Sequence, residues 1–455
     1  MSNSSTQTQL KQTLGLFDVI AIVVGIVIGS GIFKLPGMVA NSSSSGTVFM
    51  LAWLAGGVMS IIGALCYAEL ASTYPNAGGD YYFINRAYGD FMSFLFAWAR
   101  MAVIQTGSIA FLGFFIGDYL TGVYPIGAYS SSIYALTTVI ILTAVNIFGI
   151  KQGKWAQNLF TATIVTGLLI VVGIGVGGTP VEGAAAQAHT PSMGIGMAMV
   201  FVLLAYGGWN ESAYVSAEIK EPEKNIVKSL VIGLSAVTVI YLLVNWSYLH
   251  ILGLKGMADS RNVAQDLVKN TLGEGFVPII TFLVVFAVLS TMNATIISGA
   301  RSNYALGRDF KVLGFMGKWN SKSGTPVLAL VVQGLFSIAL ILLGNKIDLN
   351  TGFETMVAYT TPVFWFFFFL TGISLFILRK WDKDIKRPFS VPFYPITPMI
   401  FVGIGLYMLN NGFDYIRLLP RIGMYSGVGA AIGIAVLVLG VPLYLVNSIM
   451  EKKSR

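Results

Sequence analysis

The chain has 455 residues, 55% of them hydrophobic and 11% charged, with mean hydropathy +0.75 and net charge +8. Soluble domains carry about 25% charged residues, so this composition excludes a soluble protein, and the basic excess, spread over short segments between apolar runs, is a topology signal rather than a nucleic-acid footprint. The single cysteine, Cys66, excludes an intrachain disulfide and reads as a small packing residue in an apolar stretch.

The polar start, Met1 to Lys11, has no basic segment leading into an apolar core with a small-residue cleavage site, so the first apolar segment is expected to be retained. A span needs about 20 mostly apolar residues. Twelve such stretches follow: 15–40, 47–72, 92–117, 129–149, 155–177, 193–217, 228–252, 276–304, 326–344, 353–378, 395–411 and 424–448. Pro191 and Pro326 precede or open their helices, where a missing N–H costs nothing. Pro362 lies inside the tenth span and is expected to kink it. With a cytoplasmic N-terminus, twenty of the 28 Lys and Arg lie on the cytoplasmic side and six outside, with Lys34 and Arg100 within spans. That imbalance places both termini inside. Residues 73–91 read as a cytoplasmic loop with a short interfacial helix. Residues 254–275 read as an outer cap with a helical pattern over Val263 to Leu272.

Two spans are interrupted. The first has Gly29-Ser30-Gly31 at its centre, within VVGIVIGSGIF from Val23 to Phe33. The sixth has Gly207-Gly208 within FVLLAYGGWNES from Phe201 to Ser212. Each glycine weakens a helix by about 1 kcal/mol relative to Ala. In hydrocarbon, the freed backbone groups must face protein or a wet cavity. Gly-interrupted segments in corresponding places of two halves point to a transporter's midplane site. The breaks lie five spans apart, and the connection at 218–228 is short. The reading is therefore an all-α integral membrane protein of twelve helices: a tail over 1–14, a first repeat over 15–177, an inverted second repeat over 193–378, two appended helices over 395–448, and a tail over 449–455. The plain alternative for the glycines is close helix packing.

Several stretches resemble the amino acid–polyamine–organocation superfamily, and within it the L-amino-acid-transporter branch. They are IGSGIF at Ile28 to Phe33, YAELASTYPNAGGDYYFINRAYGD at Tyr67 to Asp90, AYGGWN at Ala205 to Asn210, EIKEPEKNI at Glu218 to Ile226, and the RPF-VP run from Arg387 to Pro392. Each motif is modest alone; the ordered set spans nearly the whole chain. The resemblance implies a leucine-transporter-type fold and amino acid transport by alternating access, often as obligatory exchange, with no chemistry on the substrate.

A free amino acid is a zwitterion. Its carboxylate suits the N–H groups and positive end of a half-helix beginning at a break, and its ammonium suits carbonyls ending another. The substrate is thus expected on Ile28, Gly29, Ser30 and Gly31 and on Leu203, Leu204, Tyr206, Gly207, Trp209 and Asn210. Leu204 stands where eukaryotic members of the branch resemble one another in carrying a Phe gate. Trp209 reads as a wall of the pocket or as an ordinary packed aromatic. Many relatives carry a lysine in span five; Ile164 occupies that place here, and Lys151 and Lys154 are too shallow to replace it. Ser290 and Thr291, with the Gly25 and Ile28 carbonyls, offer an oxygen cage for a hard cation; the alternative is hydroxyls bonding back to their own helix. The resulting alternatives are a sodium site or an uncoupled exchanger. Proton coupling stays a further alternative, for which His189 and His250, lone and far apart, give no specific pattern, and no other cofactor is expected. Arg100, Asp18, Glu69 and Glu218 are candidate inner-gate ion pairs, with interfacial snorkelling the alternative for Asp18 and Glu69.

No phosphate loop, Walker motif, Cys/His metal spacing or nucleophile elbow is present, which argues against ATP-driven transport and hydrolysis. No re-entrant filter favours a channel. The preferred reading is a secondary carrier of neutral L-amino acids in a prokaryotic inner (plasma) membrane. The alternatives are a cationic amino acid or polyamine carrier, for which Glu211 is the nearest acid, and a transporter-like amino acid sensor. Eukaryotic members of the branch join a heavy chain through a cysteine between spans three and four. The loop 118–128 has none, so no disulfide-linked partner is expected, nor any nucleic acid.

Overall fold

A computed structural model of the chain describes residues 15–76, 78–149, 154–183, 189–191, 194–211, 222–349, 351–422 and 426–452. Among them the secondary structure is helical, apart from one isolated bridge between Asn320 and Thr325. In chain order the helices are α1 (Leu16–Val27), α2 (Leu35–Asn41), α3 (Gly46–Thr73), α4 (Asp80–Tyr88), α5 (Asp90–Ala99), α6 (Thr106–Thr121), α7 (Ser130–Ile147) and α8 (Lys154–Gly177). They continue as α9 (Ile195–Ala205), α10 (Pro222–Ala258), α11 (Val263–Leu272), α12 (Val277–Asp309), α13 (Val327–Ile347), α14 (Gly352–Trp381), α15 (Ile396–Ile422) and α16 (Ser426–Lys452). Local chemistry sets several starts. The Ser45 side chain accepts the Val48 N–H at the head of α3, and prolines sit in the first turns of α2 and α12.

Nine helices among the described residues are long and apolar enough to cross a membrane, and three shorter apolar ones, Leu16–Val27, Ala162–Gly177 and Ile195–Ala205, fall inside predicted spans one, five and six. Spans one and six are short because the chain breaks there. After α1 a 3-10 turn at Ser30–Phe33 precedes α2. After α9 the helix ends at Ala205 and a turn leads to Glu211. The rest of span six, with Ser212, and the following Glu218 lie outside the described residues.

The cap helix α11 coincides with the expected pattern. The eleventh span runs beyond its expected end at 411. Asn411 and Arg417 find partners on their own helix, at the Tyr407 carbonyl and at Asn410 and Asp414, so polar residues there do not stop it. α14 runs through Pro362 as one helix. A short helix forms in the 73–91 loop as expected: α4 buries Asp80, Phe83, Ile84 and Ala87 where its apolar face rests on α5 and α14.

The broken segments lie at the centre. α9 packs on α2, α3, α15 and the Ser30–Phe33 turn, α1 packs on α10, and α12 closes on the same turn. Large exposed apolar side chains, such as Leu51, Leu54 and Val58 on α3 and Val438, Leu439 and Leu445 on α16, point outward, as lipid-facing surfaces do.

Candidate functional site

The two breaks meet. α1 closes with the Ile28 N–H on the Val24 carbonyl at 2.8 Å and the Gly29 N–H on the Val27 carbonyl at 2.7 Å, after which Gly29 is extended. α9 closes with the Tyr206 N–H on Val202 and the Gly207 N–H on Leu204. A methyl at Gly31 would stand 3.7 Å from the Ala205 Cα, so the start of one half-helix faces the end of another. The joint is pinned by Tyr241 of α10, whose fully buried hydroxyl is shared between the carbonyls of Val27 at 2.8 Å and Ala205 at 3.0 Å. One phenol thus ties together the carbonyl ends of α1 and α9, each carrying partial negative charge. The rings of Trp53, Tyr206 and Tyr241 pack around it, and the Tyr206 hydroxyl donates to the Trp53 carbonyl at 3.0 Å.

Gly208 is the tightest point of the second break. Its φ of +103° lies in the region that only glycine enters freely, and a methyl there would meet Ile26 Cγ2 at 2.7 Å and the Ile26 carbonyl at 3.3 Å. Gly208→Ala is expected to destabilise the protein by about 1–3 kcal/mol and to push α1 off the second break. Its thermal unfolding and uptake, measured beside Gly207→Ala, test this; equal behaviour of the two variants would count against the close approach.

The expected substrate residues fall into two groups. Ile28, Gly29, Ser30 and Gly31 form the first break, with Ile28 and Ser30 buried. Leu203, Gly207, Trp209 and Asn210 line a cleft beside the second break, together with Met59, Ser60, Phe364, Trp365, Phe368, Phe401 and Ile404. The cleft holds ≈ 380 Å³ of empty space, its open mouth included, and none of its lining side chains is ionisable. Leu204 is half-buried beside it. Tyr206 is turned away from the cleft and braces α3. Ser290 and Thr291 are half-buried on α12; the Thr291 hydroxyl donates to the Ala287 carbonyl of its own helix at 3.2 Å, and no described hydrogen bond links either residue to Gly25 or Ile28. Ile164 is partly buried against the core. Among the described residues, no three His, Cys, Asp or Glu gather as metal ligands.

On the face away from α11, ion pairs join the helices around the second break. Arg100, which opens a π-helical stretch at Arg100–Gln105, pairs with Glu211 at 3.5 Å. Glu69 binds Arg379 through both its oxygens, lies 3.5 Å from Arg387 and accepts the Val391 N–H at 2.7 Å. Arg86 grips Asp382 at 2.8 and 2.9 Å, and Tyr74 donates to the same carboxylate. The Arg86 guanidinium holds Asp382 below its usual range. Among the described residues Asp18 forms no ion pair; it accepts the Gly15 N–H at the head of its own helix. The partners of Glu69, the Lys34–Asp118 pair on the α11 face and the Tyr241 staple were not legible in the sequence. The only hints were a charge in each of two spans and a tyrosine amid Val, Ile and Leu.

Asp80 lies between these elements. Burial pushes its carboxyl up to about 6, against the pull of the Tyr67 hydroxyl, of Arg100 and of Thr371, whose hydroxyl is 3.4 Å away. A carboxyl raised above its unfolded value binds its proton more tightly in the folded protein, so its ionised form costs stability, and that cost disappears as pH falls through about 6. We expect the melting temperature of the wild type to gain on moving from about pH 8 to about pH 5 relative to Asp80→Asn. Parallel pH curves for the two proteins would refute it.

A bundle of membrane-crossing helices with two broken ones meeting at its centre, lined by backbone and neutral side chains and flanked by ion-paired faces, defines a membrane permease rather than an enzyme. The chain belongs to the amino acid permease family, whose model matches residues 14–438. It is 29% identical over 415 residues to the mouse (Mus musculus) b(0,+)-type amino acid transporter 1, covering 88% of this chain and 82% of that one. It is 28% identical over 444 residues to the serine/threonine exchanger SteT of Bacillus subtilis (strain 168), covering 96% of each. Against the rat (Rattus norvegicus) large neutral amino acids transporter small subunit 2 it is 26% identical over 465 positions, covering 98% of this chain and 82% of the relative. The chain is an amino acid transporter of multi-pass membrane architecture.

Proposed function

We propose that the protein exchanges neutral L-amino acids by alternating access, holding the zwitterion between its two breaks. The observation that carries this is the juxtaposition of Gly31 with Ala205 under the Tyr241 hydroxyl. The carboxylate goes to the N–H groups of Ser30 and Gly31, which open the Ser30–Phe33 turn, beside Gly29, whose own N–H is held by the Val27 carbonyl. The ammonium goes to the carbonyls around Leu203 to Gly207. The side chain enters the uncharged cleft of Trp209, Asn210 and Phe368, which supports a neutral residue over a cationic one. The names of two relatives, a serine/threonine exchanger and a large neutral amino acids transporter, agree.

The twelve spans are arranged as two inverted repeats of five, 15–177 and 193–378, with two helices appended. The α11 face is outward and both termini are cytoplasmic. Exchange is uncoupled from ions, with a sodium cage of Gly25, Ile28, Ser290 and Thr291 as the alternative. The carrier works without a disulfide-linked heavy chain.

Uptake by proteoliposomes of purified protein tests the proposal, with a labelled neutral amino acid, with and without unlabelled amino acid inside, and with and without a sodium gradient. Uptake that needs internal amino acid and ignores sodium is the expected result. Concentrative uptake driven by sodium would transfer the argument to the α12 cage, with Ser290→Ala as its next variant. No uptake of neutral amino acids would favour the cationic carrier or the sensor.

A further inference from the structure

Lys34 follows the first break immediately and is 4% exposed, though its neighbours are apolar. Its ammonium donates to Asp118 Oδ2 at 2.7 Å and to the Arg261 carbonyl at 3.4 Å, and it stands over the rings of Phe353 at 5.2 Å and Phe115 at 5.8 Å. These contacts come from three different elements: Asp118 and Phe115 from the end of α6, Arg261 from the loop into the cap helix α11, and Phe353 from the first turn of α14. Asp118 is itself held, with Oδ1 accepting from Ser131 of α7 and its carbonyl accepting from Asn262. The next residue, Tyr119, donates to the Phe33 carbonyl at 2.6 Å, and its own carbonyl accepts from Gln265 of α11.

We propose that Lys34 is the latch of the gate on the α11 face: its ammonium clamps the half-helix after the first break to α6 and to the cap, and its release from Asp118 admits substrate from that face. This rests on the transport reading above. A charge buried this deeply is kept only while paired, so the pair is made in the closed state or not at all. Opening therefore needs a second seat for the ammonium. Glu354 follows Phe353, whose ring already lies under the ammonium, in the first turn of α14, and is the acid offered as that seat. Lys34 is a positioning residue here, setting how the carrier divides between its two open states without touching the substrate.

The test uses the full chain in proteoliposomes, with the apparent KM for a neutral amino acid measured from each face. Lys34→Met paired with Asp118→Asn removes both charges, so neither is left orphaned. It is expected to shift the ratio of the two KM values by about tenfold in favour of the α11 face. Lys34→Arg, which keeps the charge, is expected to restore most of the wild-type ratio. Amide hydrogen exchange of 35–41 and 263–272, without substrate, is expected to quicken in the double variant while α14 is unchanged. A wild-type ratio with wild-type amide exchange in the double variant would overturn the latch. If the double variant does not fold, Asp118→Glu, which displaces the pair but keeps both charges, is read the same way. If the wild type itself moves no amino acid, the transport reading fails, and the amide exchange alone decides whether Lys34 holds the cap.

Discussion

Glu69→Gln is expected to cost about 3 kcal/mol of stability, the lower end of the range for removing one partner of a buried ion pair. Glu69 is 2% exposed and serves three donors at once: both nitrogens of the Arg379 fork, Arg387, and the Val391 N–H of the segment after α14. The amide keeps the shape but removes the countercharge, leaving two guanidiniums against a carbonyl dipole. Arg379 is also stacked on Tyr394 at 3.8 Å, so it is not free to swing into solvent. Because α3, α14 and the Arg387–Pro392 segment are joined through this one carboxylate, the loss should appear as earlier thermal unfolding in detergent and as faster proteolysis near residues 382–395. A melting curve matching the wild type would mean the guanidiniums are solvated rather than held.

Tyr241→Phe is expected to slow exchange by at least about tenfold while costing about 1–3 kcal/mol of stability, the penalty for leaving a buried polar group without its partner. The substitution removes a single oxygen and keeps the ring stack with Trp53 and Tyr206. What it takes away is the donor shared by the Val27 and Ala205 carbonyls, and with it the fixed spacing between the breaks, where the substrate is proposed to sit. Tyr206→Phe is the control. It removes a hydroxyl of the same cluster whose bond runs to α3 instead, so it should lower stability with little change in exchange. Equal loss of exchange in both variants would show that the aromatic cluster acts only as packing.

Much of the architecture could be read from the sequence because membrane burial is written into composition. An apolar run of span length admits few other structures, so the nine long helices among the described residues and the cap helix at 263–272 fall where hydropathy and periodicity put them. The breaks were legible for a related reason: adjacent glycines in hydrocarbon leave backbone groups that something must satisfy, and Gly29 to Gly31 and Gly207-Gly208 are where the helices end. The extent of α15 was misjudged because Asn411 and Arg417 look like helix-ending polarity until their partners within the helix are seen.

The sequence by itself therefore determined the membrane class, the helices, the two interruptions and the chemistry the breaks can offer a zwitterion, since each depends on residues near one another in the chain. The tertiary structure alone decided which long-range partners meet: Tyr241 between the two breaks, Glu69 under two arginines 310 and 318 positions away, and Lys34 against Asp118, 84 positions away. A lone Lys, Glu or Tyr in an apolar span carries the need for a partner, because burial without one is costly. Its identity depends on how helices far apart in sequence pack, and no local pattern encodes that.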